Sequence, residues 1–541
     1  MVEKNVSLGR KVLNFFTFNI NSEKKETPNA IVQDSNTGFL NGTWVKSFDG
    51  EKNAGEIGPA IDWRLNHKVL SARSWQSYLE NDIAKTIFNR FCIWIVDKGL
   101  KIQCSPLKAV LKTEGIDLDE TGFKTEQFNK DVESRFTIWA KSKHSSYSGM
   151  VSFNEVAKEA FKNAKVGGDV LVVLRYEDNN LTVEVIDTIH LASSLNGSDL
   201  KKKTHRIKQG VELDEKGKHI AYHVKVAGNK TQRVDAFNKL GLCTAFLVYG
   251  SKYRIGNVRG LPIISTSLET LKKIDRYKEA AVGSAEERQK IAYTIEHDKN
   301  SDGTSPLQGD LATMYDTGNR DKNAVPHDAE GTALANTVTA TTNKQTFNMP
   351  IGSKLNSLES KNEMFFKEFY ETNANIICAA IGIPPNVAFS LYNDSFSASR
   401  AATKDWEHTI KFERDDFQSQ FYDKVFAFWL HTEILKNKIN APGYLDAFNN
   451  KNWMITDSYL NARFTGPMFP HIDPLKEVKA ERAKLGSEAD KIPLTTVEMA
   501  TEALAGGDSE SNMEQFSEEL RNAEKLEIIK EVVVETEPPV E

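Results

Sequence analysis

Residues 381–402 read IGIPPNVAFSLYNDSFSASRAA, and the architecture turns on how this stretch is punctuated. Gly382 and the Pro384-Pro385 pair end a helix sharply, because proline lacks the amide hydrogen and biases the residue before it away from helix. Ser397 then offers a hydroxyl to cap a new helix. Between them Ser390, Asn393, Asp394 and Ser395 are short and polar, and only Leu391, Tyr392 and Phe396 are large. The stretch therefore predicts a helix, a polar loop and a second helix. Upstream the first helix extends back to about Glu359. Downstream, the ladder Trp406, Ile410, Phe417, Phe421, Val425 and Trp429 predicts a helix from Ser397 to about Lys438, roughly 60 Å long at about 1.5 Å per residue.

A third long helix precedes this pair. It starts from Ile264, Leu268, Leu271 and Ile274, runs to about Tyr293, and carries Glu269, Lys272, Lys273, Asp275, Arg276, Lys278 and Glu279 around most of its circumference. So narrow an apolar stripe suits a helix that packs against copies of itself or crosses open space. Residues 298–346, rich in Asp, Asn, Gly, Thr and Ala, read as a long loop of the kind that is functional or mobile.

Further out, residues 1–61 are polar and read as an arm. Residues 62–96 are helical, with Leu79, Ile83, Ile87 and Phe91 at spacings of four. KIQCSP is extended, and 128–140 and 153–164 are helices, the second stopped by Gly167-Gly168. Apolar, β-branched runs at 170–176, 181–186, 219–226 and 246–249 predict strands. Residues 62–255 thus read as an α+β domain with a small, largely antiparallel sheet. Short helices follow over 471–521, then an acidic tail expected to be partly disordered.

Composition bounds the function. At 541 residues the chain has room for three or four domains. Its 40% hydrophobic and 27% charged residues are those of a globular protein, with no apolar run long enough to span a bilayer. The N-terminus lacks the form of a secretory signal. Cys92, Cys104, Cys243 and Cys378 are widely spaced, which predicts reduced structural thiols and an intracellular life. Net charge is −6, but the stretch from Asp508 onward alone carries −8, leaving +2 upstream. A nearly neutral body is not the footprint of a protein that clamps DNA by bulk positive charge; it suits one that touches DNA without gripping it.

No enzymatic constellation emerges. A P-loop and a GxSxG elbow are both missing. HIAYH, residues 219–223, has the spacing of a zinc-protease helix but Ile220 where the catalytic glutamate belongs, and in a strand the two histidines predict a solvated pair on one face. Glu286-Glu287 and Asp415-Asp416 are adjacent on helices and point apart, unlike the convergent carboxylates of a two-metal nuclease. The run Lys201 to Arg206 is basic enough to meet phosphate but reads as an exposed loop.

Five stretches, taken in order, resemble the portal proteins of lambda-family bacteriophages. AFKNAKVGGDVLVVL followed by VEVIDTIHLA resembles the family's wing, and GVELDEKGKHIAYHVKV the hairpin after it. GNVRGLPIISTSLETLKKIDRY is similar to the Arg-Gly-Pro lead into the first stem helix. IGIPPNVAF with YNDSFSASRAA resembles the helix–loop–helix lining the tunnel, and GPMFPHIDPLKEVKAERAKLGSEADKIPLTTVEMA the C-terminal segment. Two features depart from the family pattern: Phe396 stands where a tyrosine is usual, and the insertion at 298–346 is long.

The resemblance implies an α+β, elongated, ring-forming portal fold with long stem helices, an α/β wing and clip, and a helical crown. It implies wing over 62–261 and 398–454, stem helices over 262–297 and 358–382, clip over 298–357, tunnel loop over 383–397 and crown over 455–520, with the arm at 1–61 and tail at 521–541. The implied channel residues are Lys272, Lys273, Arg276 and Lys278 of the stem, and Asn393, Asp394, Ser395, Ser397 and Arg400 at the tunnel loop. Implied partners are further copies in a twelve-subunit ring, the terminase large subunit, the major capsid protein, head–tail adaptor proteins and double-stranded DNA without sequence specificity. Neither a cofactor, nor an enzymatic activity, nor a membrane is implied. The place implied is the capsid portal vertex of the virion, after synthesis in the host bacterial cytoplasm. The competing readings are another virion ring such as a head–tail adaptor, generally shorter and without the long helix–loop–helix, and a phage nuclease.

Overall fold

The computed structural model describes residues 67–116, 122–195, 197–198, 205–226, 230–252, 254–295, 336–339, 345–348, 366–391, 396–467, 474–486, 493–505 and 509–525. The arm at 1–61 and the end of the acidic tail lie outside the described residues. Two compact units make up the chain, Ser267–Ile377 and the remainder.

Where one helix was expected over 62–96 there are two, α1 (His67–Glu80) and α2 (Asp82–Ile95). Asn81 breaks them: its backbone is extended, and its side-chain oxygen accepts from the Ala84 amide at 3.1 Å to cap α2. The break separates Leu79, which is exposed, from Ile83, Ile87 and Phe91, which are buried. β1 (Lys101–Cys104), α3 (Lys108–Thr113), α4 (Thr125–Lys141) and α5 (Phe153–Gly167) follow. α5 opens with a capping box between Ser152 and Glu155 and ends at Gly168, whose φ of +101° a side chain would resist.

Four strands fall where β-branched runs placed them, β2 (Asp169–Glu177), β3 (Asn180–Asp187), β7 (His219–Val226) and β9 (Ala245–Tyr249). Four others that no such run announced join them, numbered in chain order β4 (Gly197–Ser198), β5 (Arg206–Lys208), β6 (Val211–Leu213) and β8 (Lys230–Asp235). They form two antiparallel sheets, ordered β3-β2-β9 and β4-β5-β6-β7-β8. Leu171, Val173 and Leu247 of the first and Val211 and Tyr222 of the second share one apolar core. Burial of this kind stabilises at about 25 cal/mol per Å² of apolar surface removed from water.

The histidines of HIAYH are not a solvated pair. His223 is fully buried, its Nε2 3.7 Å from Glu212, and His219 meets the Tyr222 hydroxyl at 3.1 Å. Arg233 and His205 also hold Glu212, at 2.7 and 2.8 Å. Of the basic run, Lys201–Thr204 lies outside the described residues; His205 and Arg206 lead into β5.

In the second unit α6 (Leu268–Lys290) begins after Ile264, which belongs to the preceding turn, and ends before Tyr293. It passes directly into β10 (Ile291–Ile295). The long loop contains more order than expected. β11 (Asn336–Thr339) and β12 (Gln345–Asn348) pair antiparallel, and β10 joins β12 in parallel. The rest of 298–357 lies outside the described residues. α7 (Phe366–Ile381) completes the unit and continues past its boundary; its expected start near Glu359 also lies outside.

After α8 (Pro385–Phe389) comes the long helix: α9 (Phe396–Phe417), a π turn (Gln418–Tyr422) and α10 (Asp423–Leu435). Every rung of the expected ladder is buried, but the helix stops at Leu435 rather than Lys438, and one turn is widened. α11 (Tyr444–Asn449), α12 (Trp453–Leu460) and β13 (Ala462–Thr465) follow. β13 pairs antiparallel with β1, Ile102 opposite Phe464. The boundary expected at 454/455 therefore falls inside α12, in a segment tied to the N-terminal part of the unit. α13 (Pro474–Lys484), α14 (Val497–Ala505) and α15 (Ser509–Lys525) close the described chain. α15 carries order past the tail boundary expected at 521. Among the described residues no helix is long and apolar enough to cross a membrane.

Candidate functional site

The tunnel-loop stretch is anchored at its first end. Gly382 adopts φ +84° and closes α7, and Pro384 precedes α8 with extended backbone. Ser390 caps α8 in the left-handed conformation, φ 56° and ψ 36°, and the Leu391 amide turns back to the Asn386 carbonyl at 2.9 Å. Arg90 of α2 donates to the Ser390 hydroxyl. Asn393, Asp394 and Ser395 lie outside the described residues. Ser397 stands within the first turn of α9, which starts at Phe396, so it is not the cap expected. Arg400 is half-exposed, with Nη2 3.8 Å from Glu477 of α13, so this cation already has an acidic neighbour.

On α6 the expected basic residues divide. At about 100° per residue, Lys272, Arg276 and Lys273 share an arc of roughly 100°, opposite Lys278. Leu268, Leu271 and Ile274 are buried on the same side as Lys278, while Lys272, Lys273, Arg276 and Lys278 itself are exposed. Lys273 reaches Glu269 one turn back, at 3.0 Å. Tyr277 stacks on Phe366 (centroids 5.6 Å) and tilts against Phe369 (4.6 Å), which fastens α6 to α7 within the unit.

Around Arg259, in the unit that precedes Ser267, lies a polar network that local sequence did not disclose. Arg259, wholly buried, grips Asp169 with Nε (2.6 Å) and Nη2 (2.8 Å). Nη2 also donates to Thr188, and Nη1 to Ser193 and to the Gln209 carbonyl, so all five guanidinium hydrogens have acceptors. The Gly260 amide donates to Asp169 as well. Burial pushes the Asp169 carboxyl up, but Arg259 and His67 outweigh it and hold the group well below the usual carboxylate range. Burial, aided by Arg259, lowers His67 to about 3, so it is neutral beside the pair. A Cβ on Gly260 would collide with the Gly168 carbonyl, which is why this position takes glycine.

The profile of phage portal proteins of the lambda family matches residues 50–414, two thirds of the chain. The chain belongs to this family. A "probable portal protein" of Halomonas phage phiHAP-1 is 22% identical over 500 residues, covering 90% of this chain and 86% of that protein. Among solved structures, the neck of an empty gene transfer agent particle is similar at 12% identity and a TM-score of 0.39, covering 84% of this chain and 97% of that one. The virion of a native gene transfer agent gives 12% and 0.36 over the same shares. Family membership rests on the sequence matches. The segment after Gly466, which also resembled the family, lies beyond the profile match.

Proposed function

We propose that this chain forms the ring at the unique vertex of a phage capsid, through which terminase drives double-stranded DNA, which then retains the genome and later releases it into the tail. In this reading twelve copies assemble, the major capsid protein surrounds the ring and head–tail adaptor proteins dock below it. The protein is a conduit and carries no catalytic centre. The observation that carries the reading is the family match from residue 50 to 414, which takes in the stem helices, the residues between them and the tunnel-loop stretch. The charge pattern supports it: an exposed arc of Lys272, Lys273 and Arg276 on a nearly neutral body offers phosphates transient partners, whereas a deep positive well would hold them by several kcal/mol.

Imaging the purified full-length chain by negative stain tests this directly. A ring with a central hole is expected; a folded 60.7 kDa monomer as the sole species would sink the reading. Deleting Asn393–Ser395 is expected to leave assembly and capsid incorporation intact but to impair packaging or retention. Short hydroxyl and amide side chains meet phosphates without gripping them, and Asp394 adds local repulsion. Normal packaging and retention by the deletion would reduce the loop to a connector.

A further inference from the structure

A groove of about 780 Å³ runs between β1 and α4, and neither the stem nor the tunnel loop has a share in it. Lys98, Lys101 and Lys141 stand along it, all exposed, and none forms an ion pair with another described residue. A second hollow of about 420 Å³ continues from it past Lys98 and Lys141 to Lys143 and Lys158, with Asp97 and Glu155 also on its walls, so lysines outnumber acids there by four to two. At its other end the groove is bounded by Asn512 and Gln515 of α15.

One wall of the groove is an incomplete sheet edge. The Ser105 amide bonds the Asn461 carbonyl across the β1–β13 ladder, and the Phe464 amide turns away to Gln418. Because antiparallel pairs alternate between bonded and non-bonded, the amides of Ile102 and Cys104 point outward from β1. Glu133 of α4 accepts from Cys104 at 2.7 Å. Ile102 is buried, and its amide has no partner among the described residues. Leaving a buried amide unpaired costs about 1–3 kcal/mol.

We propose that this groove seats the chain's own acidic C-terminal segment, residues 526–541, laid against the outward edge of β1. That segment reads LEIIKEVVVETEPPVE, with five acidic residues and one lysine, against a groove that carries three lysines and a single acid, Glu133, itself turned to the Cys104 amide. Val532, Val533 and Val534 are β-branched, fit a pleated edge and can supply the carbonyl that Ile102 lacks. The reach is sufficient. From Gln515 at the groove to the end of α15 is about 15 Å at 1.5 Å per residue, and sixteen extended residues return up to about 50 Å. An ion pair between Lys130 and Glu514 holds α15 beside α4, so the segment leaves from a fixed point. This inference does not rest on the portal reading.

The test uses the full chain carrying Lys101→Cys and Val533→Cys, oxidised mildly and mapped by peptide mass spectrometry. A cross-link within one chain is expected; cross-links only between chains, which would place a neighbour's segment in the groove, or none at all, overturn the proposal. In parallel, the wild-type chain and one ending at Lys525 are compared by hydrogen exchange. Truncation is expected to speed exchange over Lys101–Cys104 at least tenfold while leaving β2 unchanged. Lys98→Glu with Lys141→Glu, both exposed and so compatible with folding, is expected to do the same with the segment present. Unchanged exchange in both variants would also overturn the proposal.

Discussion

At Arg259 the cost of a buried charge is met almost completely: two carboxylate oxygens, two hydroxyls and a carbonyl receive its five hydrogens. Breaking such a pair from one side leaves the other charge uncompensated, at roughly 3–5 kcal/mol. Arg259→Met and Asp169→Leu are each expected to lower the unfolding free energy, read from denaturant titration, by about that much, and the double variant by less than the sum. Full additivity would mean the two groups are not coupled. Lysine at 259 keeps the charge but only three donors, and is expected to recover little. The resemblance singled out Arg259, but nothing local announced its partners. Asp169 lies 90 residues earlier and Thr188 lies 71 earlier, so only the fold brings them together.

Buried histidines add a pH dependence. Burial lowers His67 to about 3, and His219 and His431 to about 4, from an ordinary 6.5; neighbouring cations add to it at the first two. Between pH 4 and 6.5 the unfolded chain therefore binds protons that the folded chain refuses, so stability falls as pH drops through that window. At pH 5.5 each contributes a loss of about 1.4 kcal/mol. Asp169 and Glu212, held low, lose their contribution only at still lower pH. The thermal midpoint is expected to drop between pH 7.5 and 5.5, and His431→Phe, in an aromatic setting with Phe448 at 4.3 Å, to flatten that drop. An unaltered slope would show that His431 titrates normally.

Elements tell a different story about legibility. The long helix was visible because its apolar ladder runs from Trp406 to Trp429, yet the π turn inside it was not. Phe417, Phe421, Val425 and Trp429 step by four, and each such step drifts about 40° on an α-helix. A widened turn takes back part of the drift and keeps the ladder on one face, but a four-residue step alone does not say where. The turn also aims two glutamines at two sheets. Gln418 accepts from Phe464 and donates to Ala462 of β13 (3.0 and 3.1 Å), and Gln420 accepts from Tyr249 of β9 at 2.7 Å. Deleting the exposed Ser419 would rotate everything beyond it by about 100° and is expected to abolish cooperative unfolding. Gln420→Ala should cost only about 1 kcal/mol. If the deletion proved as mild, the turn would be incidental.

For the whole molecule, strands β2, β3, β7 and β9 and the helix stops were legible, because β-branched runs and Gly-Pro signals act locally, whereas short strands such as β5 and β6 carry no such run. The break at Asn81 and the β1–β13 pairing were not, since a cap can sit within a periodic run and a pairing across 360 residues leaves no local mark. On the stem, Lys272→Glu and Arg276→Glu are expected to change DNA retention while rings still form. Lys278→Glu, on the opposite side, should act on assembly instead. Retention unaffected by the first two would remove that face from the channel.

The parallel pairing of β10 with β12 has a kinetic meaning. β11 and β12 are joined by five residues and can zip as soon as both are made, but β10 must wait for the forty-nine that separate it from β12. Closing the longer loop costs about 2 kcal/mol more in chain entropy than closing the shorter. The hairpin therefore comes first, and α6 is left without its terminal strand until the far side of the excursion arrives. Each newly made chain passes through an interval in which that strand edge is open, and a second chain meeting it then could exchange strands before either ladder closes.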